Sequence, residues 1–423
     1  MQTHKYAQMA LVSLFALCTL ALAAPARAAT LLVGPTRTYK TPCAAIAAAS
    51  AGDVILIDPV LYTNDTCAWS TNNLTLIGIL GPNNQRPHID DSGLTDTPTT
   101  GHIAFHKGIW VPLGKDTVVK NVEFSGATLS NDDGANGAGI RIDGVNMTII
   151  NCYFHNNQDG ILESNVAGSN IVIEFSEFAH NGVGDPTLTE GYGQTHNLYI
   201  GHAASLLFAF NYSHDANVGH LLKSRAAVNY ILYNRLTGEN GTDSYEIDLP
   251  NGGTSYVIGN LVQKGPNSQN HSAMLTYMEE GANPSNPGSD LYVVNNDFVN
   301  QSGHTPTFVS VGTADTTPAL LQNDIFYGAG APTNQTAATL KTNFTGDPLF
   351  VNLDDFNYHL TDESPAINAG SEPGRVLKPK YQYVHPACGQ RRHNIGRIDI
   401  GAYEFRGGGR LLRCRAEVPV RPF

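Results

Sequence analysis

Positive charge is scarce in this chain. Lys and Arg number 25 against 37 Asp and Glu, for a formal charge of −12, and only 15% of the 423 residues are charged at all. Binding phosphate requires a basic face, so a nucleic-acid partner is disfavoured. Long apolar runs are missing too. Beyond the N-terminal region no stretch approaches the roughly 18 apolar residues that mark a membrane span. The strands described below show no helical periodicity, and no low-complexity linker divides the chain. One elongated domain with small end pieces is therefore expected.

What is present begins with the pattern of an export signal. His4 and Lys5 precede an apolar run from Met9 to Ala24, and Ala26-Arg27-Ala28 forms an A-x-A cleavage site. Residues 1–28 are read as a signal peptide and the protein as secreted, extracellular or periplasmic. Without Lys5 and Arg27 the mature chain has 23 basic against 37 acidic side chains. The imbalance is uneven: residues 371–423 hold 11 Lys/Arg against 4 Asp/Glu, leaving 29–370 near −21. A polyanionic ligand on that body would need local cations or a metal; solubility alone is the plainer account of the charge. In an oxidising compartment Cys43 with Cys67, and Cys388 with Cys414, are the natural near pairs. Cys152 falls in an apolar strand and reads as a buried free thiol.

One phrase recurs between residues 117 and 328: a strand, then a polar turn, with an Asn or small residue two places before an apolar one. Aligned, it places Phe124, Phe154, Phe178, Ser213, Leu236, Val262, Phe298 and Ile325 in one column, at spacings of 30, 24, 35, 23, 26, 36 and 27. That period is the mark of a solenoid. A second column reads Asn211, Asn234, Asn260, Asn296 and Asn323, a ladder whose side chains can satisfy buried turn groups. A further strand precedes each phrase, as at 220–225 and 245–249. Short β-branched strands between Gly/Asn turns favour a β solenoid over a helical repeat. Variable spacing places insertions at 180–195, 263–272 and 279–289, where binding loops usually sit. Residues 41–49 form a helix that covers the open first coil. The expected fold is all-β, a right-handed parallel β-helix over 29–345 with an N-terminal capping helix, a closing segment over 346–405 and a basic tail over 406–423.

At this point the chain resembles the pectin-lyase-like superfamily. The helix with Ala51-Gly52-Asp53-Val54-Ile55-Leu56-Ile57, the coils, and residues 151–161 carry the resemblance. Residues 346–351, 358–360, 364–370 and 399–404 are similar to the C-terminal closure of many bacterial members. The resemblance implies the fold and an acidic-glycan ligand; its known activities range from pectate, pectin and alginate lyases to polygalacturonases, epimerases and non-catalytic proteins. A monomer is expected.

Strand alternation sends Leu222 and Ile247 inward and Lys223, Arg225, Glu246 and Asp248 outward. With a coil of 23 residues, Lys223 is expected to stack on Glu246 and Arg225 on Asp248, with Tyr199 on the neighbouring rung. His196, His214, His220 and His271 fall at strand ends or turns of the same coils, but no helical His-x-x-x-His spacing supports zinc ligation by them. A uronate lyase must neutralise the carboxylate, take the C5 proton and protonate the leaving oxygen. Lys223 and Arg225 suit the first two tasks, and His196, His220 or Tyr199 the third; Glu246, Asp248, Tyr199 and His271 would contact substrate. Leu222-Lys223-Ser224 resembles the V-K-S strand that carries the basic lysine of alginate-lyase-like β-helix enzymes, although acids stand here where that family places an arginine one coil on. For the calcium of pectate lyases, Asp132, Asp133 and Asp159 are acidic enough to serve. Three other readings stand beside the lyase: a polygalacturonase-like hydrolase using Glu246 and Asp248 as acid and base, a non-catalytic glycan binder, and a plain ion-pair ladder worth about 0–1 kcal/mol per exposed pair.

Overall fold

The computed structural model describes residues 28–93, 102–284, 286–407 and Cys414. The signal peptide, apart from Ala28, and most of the basic tail lie outside the described residues. Three parallel sheets of 12, 11 and 10 strands account for nearly all the regular structure among them. The first sheet begins with Thr30–Val33, the second with Leu61–Thr63 and the third with Cys67–Trp69. Successive strands visit the sheets in rotation, so each coil adds one strand to every sheet. The fold is the expected right-handed parallel β-helix.

The recurring phrase is not one strand but two, hinged at a corner between the first and second sheets. The hinge residue has positive φ in coil after coil: Asn121, Asn151, Phe175, Phe210, Tyr233, Gly259, Asn295 and Asn323. Asn tolerates this region readily, whereas Phe and Tyr are rarely found there. The next residue turns inward and carries the ladder. Asn234 Oδ1 accepts from the backbone N–H of Asn211 at 2.9 Å, Asn260 Oδ1 from Asn234 at 2.9 Å, and Asn296 Oδ1 from Asn260 at 2.9 Å. The next rung corrects the expectation: it is Asp324, not Asn323, whose Oδ1 accepts from Asn296 N–H at 2.8 Å, and Asn343 Oδ1 carries the ladder on by accepting from Asp324 N–H at 2.9 Å. Asn296-Asp297 and Asn323-Asp324 share a dipeptide but not a register. Phe298 pairs with Phe326, so the inward column also ends on Phe326 rather than Ile325. A second ladder, Asn157, Asn181 and Asn197, lines the corner between the second and third sheets.

Inside, stacked rings follow the same logic of one residue per coil. Phe124, Phe154 and Phe178 lie face to face with centroids 5.1 Å apart at each step. Trp110, Ile140, Ile161, Leu198, Leu222 and Ile247 supply the third sheet's inward face and are fully buried. The helix Pro42–Ala48 starts with Thr41 as its cap and lays Ala45 and Ile46 on the first coil. Cys43 is disulfide-bonded to Cys67 and Cys388 to Cys414. Cys152 is free and buried, and burial pushes its thiol up to about 11.

The last strand of the solenoid is Phe344–Thr345. The following segment forms two antiparallel hairpins, Phe350–Asn352 with Asn357–Leu360 and Tyr381–Val384 with Cys388–Arg391. Much of it runs back along the flank of the solenoid. Asn295 donates to Asp399 O at 2.8 Å, Arg235 faces the ring of Phe356 at 5.0 Å, and Tyr381 packs on Tyr233 and Phe210, both at 5.7 Å.

Candidate active site

The outward residues of the third sheet form one column in strict register: Arg141, Leu162, Tyr199, Lys223, Asp248, Thr276 and Ser310. Its centre is charged. Lys223 Nζ lies 3.1 Å from Asp248 Oδ2, whose carboxylate also accepts at Oδ1 from Thr276 at 2.7 Å. Arg225 follows the end of the short strand Lys223–Ser224 and turns back over the column. Its Nε donates to the Tyr199 hydroxyl at 2.7 Å, and its Nη1 donates to Asn251 and, at 2.6 Å, to Glu280 Oε2. The other oxygen of Glu280 is 3.5 Å from Lys223 Nζ. One carboxylate thus bridges the two outward cations. Burial disfavours its charge, but the Arg225 hydrogen bond and the two cations outweigh this and hold Glu280 below the usual range. Arg225 loses solvation too, yet Glu280 and Tyr199 keep it raised.

Beside the column runs a ladder of side chains that cap backbone N–H groups. Asp159 Oδ1 accepts from His196 N–H at 2.8 Å, His196 Nδ1 from His220 N–H at 3.0 Å, and His220 Nδ1 from Tyr245 N–H at 3.2 Å. Both imidazoles therefore carry their proton on Nε2. Their rings stack at 4.5 Å. Burial pushes His220 down to about 4, with Lys223 acting the same way against Asp248, and drives His196 well below its ordinary value. His220 Nε2 is 3.4 Å from Asp248 Oδ2 and brings a neutral donor to the cluster. His196 is 2% exposed and serves the ladder rather than the surface.

The structure brings together Tyr199, Lys223, Arg225, His220 and Asp248, and corrects the rest. Lys223 pairs with Asp248, 25 residues on, and not with Glu246. The expected Lys223–Glu246 and Arg225–Asp248 stacks are absent because this coil spans 25 residues rather than 23. Glu246 points into the corner of the solenoid, fully buried, with its carboxylate 3.0 Å from the equally buried Lys264. Burial pushes that carboxyl well above the usual range, with Lys264 opposing. Glu246 is no substrate contact, and the two-carboxylate hydrolase loses one of its pair. His271 stands outside the cluster, its ring stacked on His304 at 3.5 Å and its Nε2 2.9 Å from Ser268 O. His214 lies on the second sheet, bonded to Asp215 at 2.6 Å. Asp159 is spent on the ladder, burial raising its carboxyl well above the usual range. Asp132 and Asp133 sit on a turn, Asp133 3.6 Å from His106. No His, Cys, Asp or Glu triad able to converge on a metal includes them among the described residues. Glu280 escaped the sequence reading, although it belongs to the 279–289 insertion that reading marked as a binding loop.

Fold and site together define a right-handed parallel β-helix with a charged, tyrosine-bearing cluster on the outer face of its third sheet. Among solved structures the chain is similar to pectate lyase Pel9A, with a TM-score of 0.63 and 16% identity over 90% of this chain and 97% of that one. Pectin methylesterases from Aspergillus niger and Erwinia chrysanthemi match more loosely. Their TM-scores are 0.36 and 0.37, at 12% and 11% identity over 76% and 75% of this chain and 87% and 89% of theirs. No protein-family profile and no curated protein matches the sequence. No described helix is long and apolar enough to cross a membrane.

Proposed function

We propose that this is a secreted, monomeric lyase of the pectin-lyase-like superfamily, cleaving a uronate-containing polysaccharide by β-elimination on the third-sheet face. The observation that carries the reading is the Glu280 bridge: Arg225 at 2.6 Å and Lys223 at 3.5 Å already hold a carboxylate between them. A uronate carboxylate is the same chemical group, and bound there it would have its charge neutralised by the Arg225 guanidinium, as elimination requires, with Lys223 left to serve as the base. The likeness of fold to Pel9A, a pectate lyase, agrees with an acidic glycan.

In this scheme Glu280 withdraws with its loop as the polymer binds. Lys223 passes a proton to Asp248 and then removes the proton from C5. The electrons of the C5–H bond form the C4–C5 double bond, the C4–O bond breaks, and the leaving oxygen takes the Tyr199 hydroxyl proton. The resulting phenolate faces the Arg225 guanidinium, which favours the charged form. His220 steadies Asp248 from the side.

The test is a panel of acidic polysaccharides, followed through the ultraviolet absorbance of an unsaturated uronate, with and without chelator. Wild-type protein should generate that product from at least one polymer. Lys223→Ala and Arg225→Ala should each lose about 10²–10⁴-fold in rate. Reducing ends without unsaturation would point to hydrolysis, binding without either product to a glycan-binding protein, and both would reject the lyase.

A further inference from the structure

A second constellation lies on the outer face of the second sheet, away from the column just described. His88, Glu123 and His155 come from three consecutive coils: His88 pairs with Glu123, Glu123 with Tyr153, and His155 follows two residues later on the same face. Glu123 Oε1 lies 3.0 Å from His155 Nε2 and 3.8 Å from His88 Nδ1, and the three potential ligand atoms fall within 4.8 Å of one another. A tetrahedral ion bound at about 2.0–2.2 Å needs ligand atoms about 3.3 Å apart. The observed separations bracket that value.

The surrounding hydrogen bonds prepare both imidazoles as ligands. Ser125 gives its only hydroxyl proton to Asp90 Oδ1 at 2.6 Å, so at 2.8 Å it accepts from His88 Nε2–H. His88 Nδ1 is left with a bare lone pair aimed at Glu123. Asn156 Oδ1, an acceptor only, takes the proton of His155 Nδ1 at 2.7 Å. His155 Nε2, hydrogen-bonded to Glu123 Oε1 at 3.0 Å, would give up its proton to an incoming ion and present its lone pair toward the same point. This is the outer-shell arrangement that orients metal-bound histidines, with a carboxylate behind one ring through a hydroxyl. The nearby Arg86 guanidinium is held by Asn151, at 2.8 and 2.7 Å. The three side chains are 27%, 24% and 18% exposed, enough for an ion and a fourth ligand to enter.

We propose that His88, Glu123 and His155 bind one divalent transition-metal ion of the zinc class, leaving a fourth position for water and clasping three coils near the N-terminal end of the solenoid. Two imidazoles and a carboxylate suit zinc, copper or nickel better than calcium or magnesium. The other convergent triad among the described residues, His214, Asp215 and Glu239, is built differently. Both His214 nitrogens face carboxylates, at 2.6 and 3.4 Å, and its ring is covered by Tyr212 at 3.9 Å. That is the setting of a charged imidazolium.

Untagged full-length protein freed of metal with a chelator should bind one equivalent of zinc chloride by calorimetry. With cobalt chloride it should develop the visible absorption of a low-coordinate site. Zinc should also raise the thermal midpoint. His88→Ala and His155→Ala should each abolish the cobalt band and the zinc-dependent rise, while His271→Ala keeps both. Ser125→Ala should weaken zinc binding by about 10–100-fold. Glu123→Gln, which preserves shape, replaces either histidine variant should that variant not fold. Wild-type protein that takes up no stoichiometric metal, or ligand variants that bind it as tightly as wild type, would overturn the assignment.

Discussion

On the proposed lyase reading Glu280 stands where the substrate carboxylate would bind, so its removal separates binding from chemistry. Glu280→Gln is expected to lower KM several-fold on an acidic polymer with kcat little changed, as initial rates would show. The buried pair behaves differently. Lys264→Met should destabilise the protein by about 3–5 kcal/mol at neutral pH, because Glu246 loses the cation that offsets its burial and must either stay as an uncompensated buried charge or take up a proton. Glu246 stays protonated further up the pH scale than an exposed carboxyl, so the deficit should shrink as pH falls, in urea unfolding at two pH values. Tyr199, Lys223 and Arg225 were legible because strand alternation alone decides which way they face. Glu246 was misplaced by counting 23 residues to a coil where the chain uses 25, a shift that exchanges the corner for the face. Glu280 sits in a loop with no period to read, and only folding brings it to Arg225, 55 residues away.

At the level of the element, the ladders do what sheet hydrogen bonds cannot, since the corners have no strand partner. Asn234→Ala should cost about 1–3 kcal/mol for the orphaned Asn211 N–H alone. Asp324 is the exception, an acid where other rungs carry amides. Burial, its largest influence, pushes the carboxyl up to about 8 despite the Asn296 hydrogen bonds. A folded value above the unfolded one means the native state holds the proton longer. Stability from this group is therefore complete below about pH 4 and drains away toward pH 8, by up to about 1.4 kcal/mol per pH unit. Asp324→Asn should match wild type in acid and exceed it at pH 8, in denaturant curves taken across that range. Four of the five rungs read from the sequence, Asn211, Asn234, Asn260 and Asn296, hold in the structure. The fifth slipped because two coils share an Asn-Asp dipeptide one residue out of step, and only the packing of Phe326 against Phe298 fixes the alignment.

For the molecule as a whole, the repeat disclosed a solenoid because every coil solves the same burial problem with similar residues. It could not disclose where residues beyond 345 travel, since a segment outside the repeat has no neighbour to copy. That segment reaches Phe210 toward one end and Asn323 and Thr342 toward the other, Gly401 N–H donating to the Asn323 carbonyl at 2.7 Å and the Ser371 hydroxyl lying 2.7 Å from that of Thr342. Hydrogen exchange should accordingly be slower in strands from 208 to 322 than in those before 155, and zinc should narrow the gap if the three-coil clasp forms. The strap also sets where the protein can change length. An extra coil between Phe210 and Asn323 would move its landing points apart by about 4.8 Å, breaking the match at Asn295 and Asp297. A coil duplicated before residue 170 would disturb no such fit, so relatives of this chain should vary in coil number at the front and keep a constant count behind.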